Sequence, residues 1–269
     1  HYLRSILERG RGVGINMDLR PICYFYDIVL WSAQYTPLLK KWFLHMLSIK
    51  VEWIFYLLAI VTFVLLWRGR RTPSSAPLLW AVSITGFSEI ALEIVLILAF
   101  QIIYGYLYYK IGMIVTAYMI GLALGGWTIT ACLGKIKKAL GFLLMVQAGV
   151  ALYSLGILFL ILGLYQGGFP AYLSHLLELI FPFLTLLAGF LGGVHFPLAN
   201  KIYLGERTEI GRIAGLINGI DLLGSAVGAL AISVILLPIL GIERAIYLII
   251  ALNLSAILVL GAAALWKRS

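Results

Sequence analysis

Apolar residues in this chain come in long unbroken runs. They show neither the alternation of a half-buried strand nor the one-sided stripe of a surface helix. Seven runs can be bounded: Val51 to Trp67, about Leu78 to Ile103, about Gly112 to Leu133, about Ala139 to Leu164, about Leu176 to Ala199, about Ile213 to Leu237 and about Ala245 to Trp266. At about 1.5 Å per residue, a helix of such length crosses a hydrocarbon core of about 30 Å. The first run only just reaches, and Arg68, Arg70, Arg71 and Pro73 stop it hard. The pattern predicts an all-α membrane protein, with a bundle of about seven transmembrane helices over residues 51–269.

Residues 1–50 break the pattern by mixing Arg4, Glu8, Arg9, Arg11, Asp18, Arg20, Asp27, Lys40, Lys41 and Lys50 with aromatic residues. Fifty such residues cannot form a domain unaided. We read them as the C-terminal tail of a soluble α/β domain followed by an amphipathic linker, Tyr24 to Leu47 having the mixture of an interface-lying helix. Gly10, Gly12 and Gly14 sit two apart without the strand-turn-helix context of a phosphate loop, so a flexible turn is the simpler reading. The chain opens on His1 without a signal-peptide pattern and is expected to be the C-terminal part of a longer polypeptide.

Composition agrees with a membrane setting: 62% of residues are hydrophobic and 12% charged, against about 45–50% and about 25% in soluble domains. The net charge of +9 marks cytoplasmic loops in such a protein and does not argue for nucleic acid. Arg68, Arg70, Arg71, Lys135, Lys137, Lys138, Lys201, Arg207, Arg212, Lys267 and Arg268 follow the odd-numbered spans, whereas only Lys110 and Arg244 follow the even ones. That asymmetry places the C-terminus in the cytoplasm and, with an odd number of spans, residues 1–50 outside; a short first span that is re-entrant or interfacial would place them in the cytoplasm instead. Cys23 and Cys132 give neither a disulfide framework nor metal-ligand spacing.

The candidate chemistry is acidic. Glu89 and Glu93 are four apart, hence on one helix face, close to mid-membrane. Asp221 lies about nine residues into a span entering from the same side, with Asn218 one turn before it. Such groups form either a proton, cation or cationic-substrate site or a buried network fed by Ser83, Ser88, Gln101, Asn218 or Ser225. His195 and Pro197, near the cytoplasmic end of the fifth span, are candidates for a gate or an interface, and Pro182 should bend the same helix. No second His or Cys lies at ligand spacing to His195, so no metal or haem is expected. Gly121 and Gly125, Gly189 and Gly193, Gly215 and Gly219, and Gly224 and Gly228 are each four apart. That spacing lets helix backbones approach closely and predicts a tight centre built from the third, fifth and sixth spans.

Several of these tracts resemble the polytopic bacterial membrane proteins that carry a spermidine/spermine-synthase-like domain. They are Gly86-Phe87-Ser88-Glu89 to Glu93, Gly121-Leu122-Ala123-Leu124-Gly125-Gly126, and Gly192-Gly193-Val194-His195-Phe196-Pro197-Leu198. The strongest is Asn218 to Gly228, followed by Leu237-Pro238 and Gly241. Asn16 to Pro21 and Tyr24 to Tyr26 resemble the end of the synthase-like domain. The resemblance covers nearly the whole chain and implies a multi-pass protein of the bacterial inner membrane, with an aminopropyltransferase-like domain upstream. The catalytic acid and cofactor loop of that domain have no matching positions here, so no catalytic residue and no cofactor is carried over. The membrane blocks of the family are also similar to major-facilitator-type transporters. Three functions stay open. The chain is the membrane domain that anchors or couples the upstream soluble domain, a transporter-like bundle for a cation or polyamine, or a non-catalytic subunit beside other membrane or periplasmic subunits. The lipid bilayer is its partner in all three.

Overall fold

The computed structural model describes residues 16–46, 50–71, 75–105, 108–166, 174–205 and 209–266. The glycine stretch at 10–14, Pro73, Arg207, Lys267 and Arg268 lie outside these residues. No strand occurs among the described residues, and residues 16–20 contribute only an isolated bridge between Met17 and Arg20. Two short helices come first, α1 (Ile22–Tyr35) and α2 (Pro37–Met46). They occupy the stretch whose aromatic and basic mixture suggests an interface. The apolar runs then become α3 (Val51–Arg71), α4 (Ala76–Tyr104), α5 (Tyr108–Cys132), α6 (Ala139–Tyr165) and α7 (Ser174–Leu204). They end with α8 (Ile210–Leu230), a π-helical segment (Ala231–Leu240) and α9 (Gly241–Trp266).

Six helical stretches are long and apolar enough to cross a membrane: Val51–Arg70, Ala76–Tyr104, Tyr108–Lys135, Ala139–Tyr165, Leu179–Leu204 and Ile210–Trp266. The protein is a multi-pass membrane bundle. Its outer surface fits that solvent, since Trp127, Leu152, Phe159, Leu222 and Leu258 are each more than half exposed. Patches of this kind would be an aggregation hazard in water.

The last stretch is 57 residues long, and a straight helix of that length would run to about 85 Å. It does not run straight. Gly241 has φ 85° and ψ 169°, a backbone state that side-chain-bearing residues rarely adopt. The register of contacts shows the chain folding back. Along α8, Gly224 faces Ser83 and Gly228 faces Phe87, so α8 runs parallel to α4. Along α9, Asn253 bonds Ser88 and Ser255 bonds Trp80, so α9 runs antiparallel to it. Before the reversal, the wider π turn suits Pro238, whose ring in an α-helix would press on the carbonyl four residues back.

Helix α4 is the axis of the bundle, packed by α7, α8 and α9, and most of its length is buried. Glycines set the closest approaches. Gly121 and Gly125 of α5 lie against the backbone of Leu186 and Phe190 of α7, while Gly189 and Gly193 of α7 lie against Tyr118, Leu122 and Gly126 of α5. Gly224 and Gly228 of α8 do the same against α4. Gly215 and Gly219 do not pack in this way, because a side chain at either would meet open space. The close-packed glycines of the sixth span therefore lie on α4 and not on the α5–α7 seam, which corrects the expectation of one glycine-built centre. At the other end of α5, Lys201 of α7 donates to the carbonyls of Leu133 and Ile136. A cation there meets the negative end of the helix dipole.

Candidate functional site

Glu89 and Glu93 face the interior from the middle of α4 and are 9% and 8% exposed. Room for the first comes from α7. Gly192 has no side chain, and a Cβ there would strike the Glu89 carboxyl group. The Tyr118 hydroxyl of α5 donates to Glu89 Oε2 at 3.4 Å. Asp221 enters from α8, half-buried. It lies against Gly86, where an added Cβ would collide with the Asp221 carbonyl and stand 2.8 Å from its Oδ1. Ser225, one turn on, donates to the Gly86 carbonyl at 3.1 Å. Asp221 lies within electrostatic reach of both Glu89 and Tyr118, and Glu93 within reach of Tyr118. Three acids from two helices thus converge, with α5 and α7 closing round them.

Among the described residues, no Lys, Arg or His is paired with any of the three acids. Glu93 has no hydrogen-bond partner among them either. Carboxylates held in apolar surroundings without a cation are costly. No described side chain supplies the balancing positive charge.

A second polar system runs from the same helix. Thr85 Oγ1 lies 3.1 Å from Gln147 Oε1 of α6, 2.9 Å from the Ala81 carbonyl and 2.9 Å from His195 Nε2 of α7. One hydroxyl proton serves one acceptor, so with Thr85 donating to Gln147 or Ala81, His195 Nε2 is the donor to Thr85. Gln147 Nε2 donates to Asn253 Oδ1 of α9 at 2.7 Å, and Asn253 Nδ2 to Ser88 Oγ at 2.8 Å. Four helices are tied by this string. The two systems meet along the α4–α7 contact, where Glu89 sits on Gly192 and, one turn away, Thr85 sits on His195.

The structure thus brings Glu89, Glu93 and Asp221 together and leaves Asn218 out. Asn218 is exposed. The buried stripe of α8 runs through Ile213, Ile217, Gly224 and Gly228. Asp221 is at its edge and Asn218 falls beyond that edge. His195 is 2% exposed and hydrogen-bonded, so its ring lies inside the bundle. The antiparallel course of α7 carries it inward onto Thr85. Pro197 lies inside α7 and removes the N–H that would have bonded the Gly193 carbonyl. That carbonyl faces Gly126, where an added Cβ would stand 3.6 Å away. Ser88 and Ser225 do not feed the acids, for they bond Asn253 and the Gly86 backbone.

Tyr118, Gly86, Gly192, Thr85, Gln147 and Asn253 are absent from the sequence-derived set. Gln147 and Asn253 could have been found, as each is the one amide in its apolar run, and polar groups at that depth need partners. Tyr118 carried no such signal among the neighbouring tyrosines. Cys23 and Cys132 are free and exposed, and no cluster of metal-ligating side chains occurs among the described residues. The chain matches no family model, no curated protein and no solved structure.

Proposed function

We propose that this chain is a membrane bundle that binds a cationic group at Glu89, Glu93 and Asp221 and passes it across the bilayer. One observation supports this reading above all: three acids meet at the centre of the bundle without a protein cation. The parallel α4–α8 and α5–α7 pairs close around the site from opposite directions, an arrangement that rocking of one pair against the other would open. Counting α8 and α9 as separate crossings on either side of Gly241 makes seven. With the basic residues counted by loop, the C-terminus then lies in the cytoplasm of a bacterial inner membrane.

The test is uptake of labelled spermidine, and separately of protons, into proteoliposomes containing the chain. Uptake of one of them that is lost in Asp221→Asn and Glu93→Gln supports the proposal. Uptake unchanged by both substitutions removes it.

A second reading rests on the ordered tracts from Gly86 to Gly241. It makes the bundle the membrane domain of a spermidine/spermine-synthase-like protein, coupling an upstream soluble domain to the membrane. Under that reading the cationic group is a polyamine and the transfer chemistry lies outside this chain. Aminopropyl transfer by the longer polypeptide, abolished when the upstream domain is deleted, would favour it over transport.

A further inference from the structure

Helix α3 stands apart from the rest of the bundle. It leans on α9, with Gly69 against the Trp266 ring at one end, and no residue of its apolar window is buried. Between α3 and the bundle lies a cleft of about 460 Å³ lined only by apolar side chains, among them Leu58, Val61, Phe87, Ala231, Ile235 and Leu252. A cavity of this chemistry does not hold water and takes apolar guests. Its volume falls within the range of small-molecule sites. The lining runs along the α8 and π segments from Val227 to Leu240, at most about 20 Å. That is somewhat more than the half-thickness of a hydrocarbon core of about 30 Å, the depth of one leaflet.

The end of the cleft is not apolar. Ile239 and Leu240 line it there, and Met46 of α2 joins them. The carbonyl of Ile239 accepts a bond of 2.7 Å from Arg20 Nε. Arg20 uses only that nitrogen, and among the described residues neither terminal nitrogen is hydrogen-bonded and no carboxylate pairs with it. Ile242 N–H bonds the Leu19 carbonyl at 2.9 Å, which pins the neighbouring backbone over the cleft end. An apolar slot one leaflet deep, capped by a guanidinium fork, is complementary to an anionic amphiphile.

We propose that this cleft binds an anionic phospholipid, with one acyl chain between α3 and the π segment and the phosphate on the terminal nitrogens of Arg20. The site is separate from the acidic cluster, so neither stands or falls with the other.

The experiment purifies the full chain in mild detergent with equimolar phosphatidylglycerol and phosphatidylcholine of identical acyl chains. Lipid retained after extensive washing is then quantified by mass spectrometry. We expect retention of about one phosphatidylglycerol per chain, the single acyl slot setting the number. Arg20→Gln should lower the preference for phosphatidylglycerol about tenfold, the loss of a charge-assisted bond. Ala231→Trp or, from the α3 side, Val61→Trp should fill the slot and release both lipids. Leu222→Trp on the exposed face should release neither. Retention that survives both slot-filling variants, or a preference that survives Arg20→Gln, overturns the proposal. So does a wild-type chain that washes free of lipid.

Discussion

Gly189→Ala and Gly219→Ala make the same chemical change in the same sequence pattern, yet their effects should have opposite signs. At Gly189 an added Cβ would collide with the Tyr118 carbonyl and stand 3.0 Å from Leu122 N and 3.1 Å from Tyr118 C. All three atoms are backbone, so no rotamer change relieves the crowding. To reach ordinary contact, α5 and α7 must part locally by roughly one ångström, and a gap of that size forfeits up to about half of the dispersion energy along the seam. Overpacking alone costs about 1–3 kcal/mol. Adding the loosened seam, we expect a loss of about 2–4 kcal/mol, or about 5–15 °C in melting temperature for a chain of this size. At Gly219 nothing lies within 4 Å. There the change only removes glycine's entropic penalty within a helix, for a gain of up to about 1 kcal/mol. Thermal unfolding of the two variants in one detergent, followed by circular dichroism, makes the comparison directly. Equal melting temperatures would show that the glycine seam does not hold α5 to α7.

Other expectations follow from the same geometry. In Gly192→Ala the new methyl meets the far end of a flexible side chain, Glu89, so stability should change less than in Gly189→Ala while cation uptake falls about tenfold or more, as when a charge-assisted contact is lost. Melting and uptake measured on one preparation separate the two effects, and unimpaired uptake would argue against a role for Glu89. Asn253→Ala strands Gln147 Nε2 and Ser88 and should cost about 1–2 kcal/mol. The Gln147→Leu, Asn253→Leu double variant should cost less than the sum of its singles, as a double-mutant cycle will show. Cys23 and Cys132 are both exposed and lie on opposite sides if there are seven crossings. A membrane-impermeant maleimide should then label Cys23 but not Cys132 in right-side-out vesicles; labelling of Cys132 alone would reverse the assigned sidedness, and labelling of both would refute an odd number of crossings between them.

The helices were legible in the sequence because a bilayer leaves no backbone group unsatisfied, so each apolar run had to become helix. What each helix touches was not legible. Gly215–Gly219 and Gly224–Gly228 share one spacing on one helix. Only the second pair meets a neighbour, because the first points away from α4. Asn218 failed for a related reason: one turn from Asp221 lies either within the buried stripe or just past it, and spacing alone does not say which. The acids were recognisable from the cost of burying them. Their nearest accommodation was not, since Gly86 and Gly192 act by what they lack. The turn at Gly241 was marked by Pro238 and by the glycine itself, while the widened helix before it had no distinct signature.

The N-terminal segment is stitched to the tip of the α8–α9 hairpin by two bonds, Arg20 to Ile239 and Ile242 to Leu19. The two bonds straddle the reversal at Gly241, so they clasp both arms of the hairpin at once. A tug on the chain at residue 20 is thereby delivered to the far end of the helix that carries Asp221, with α8 as the lever.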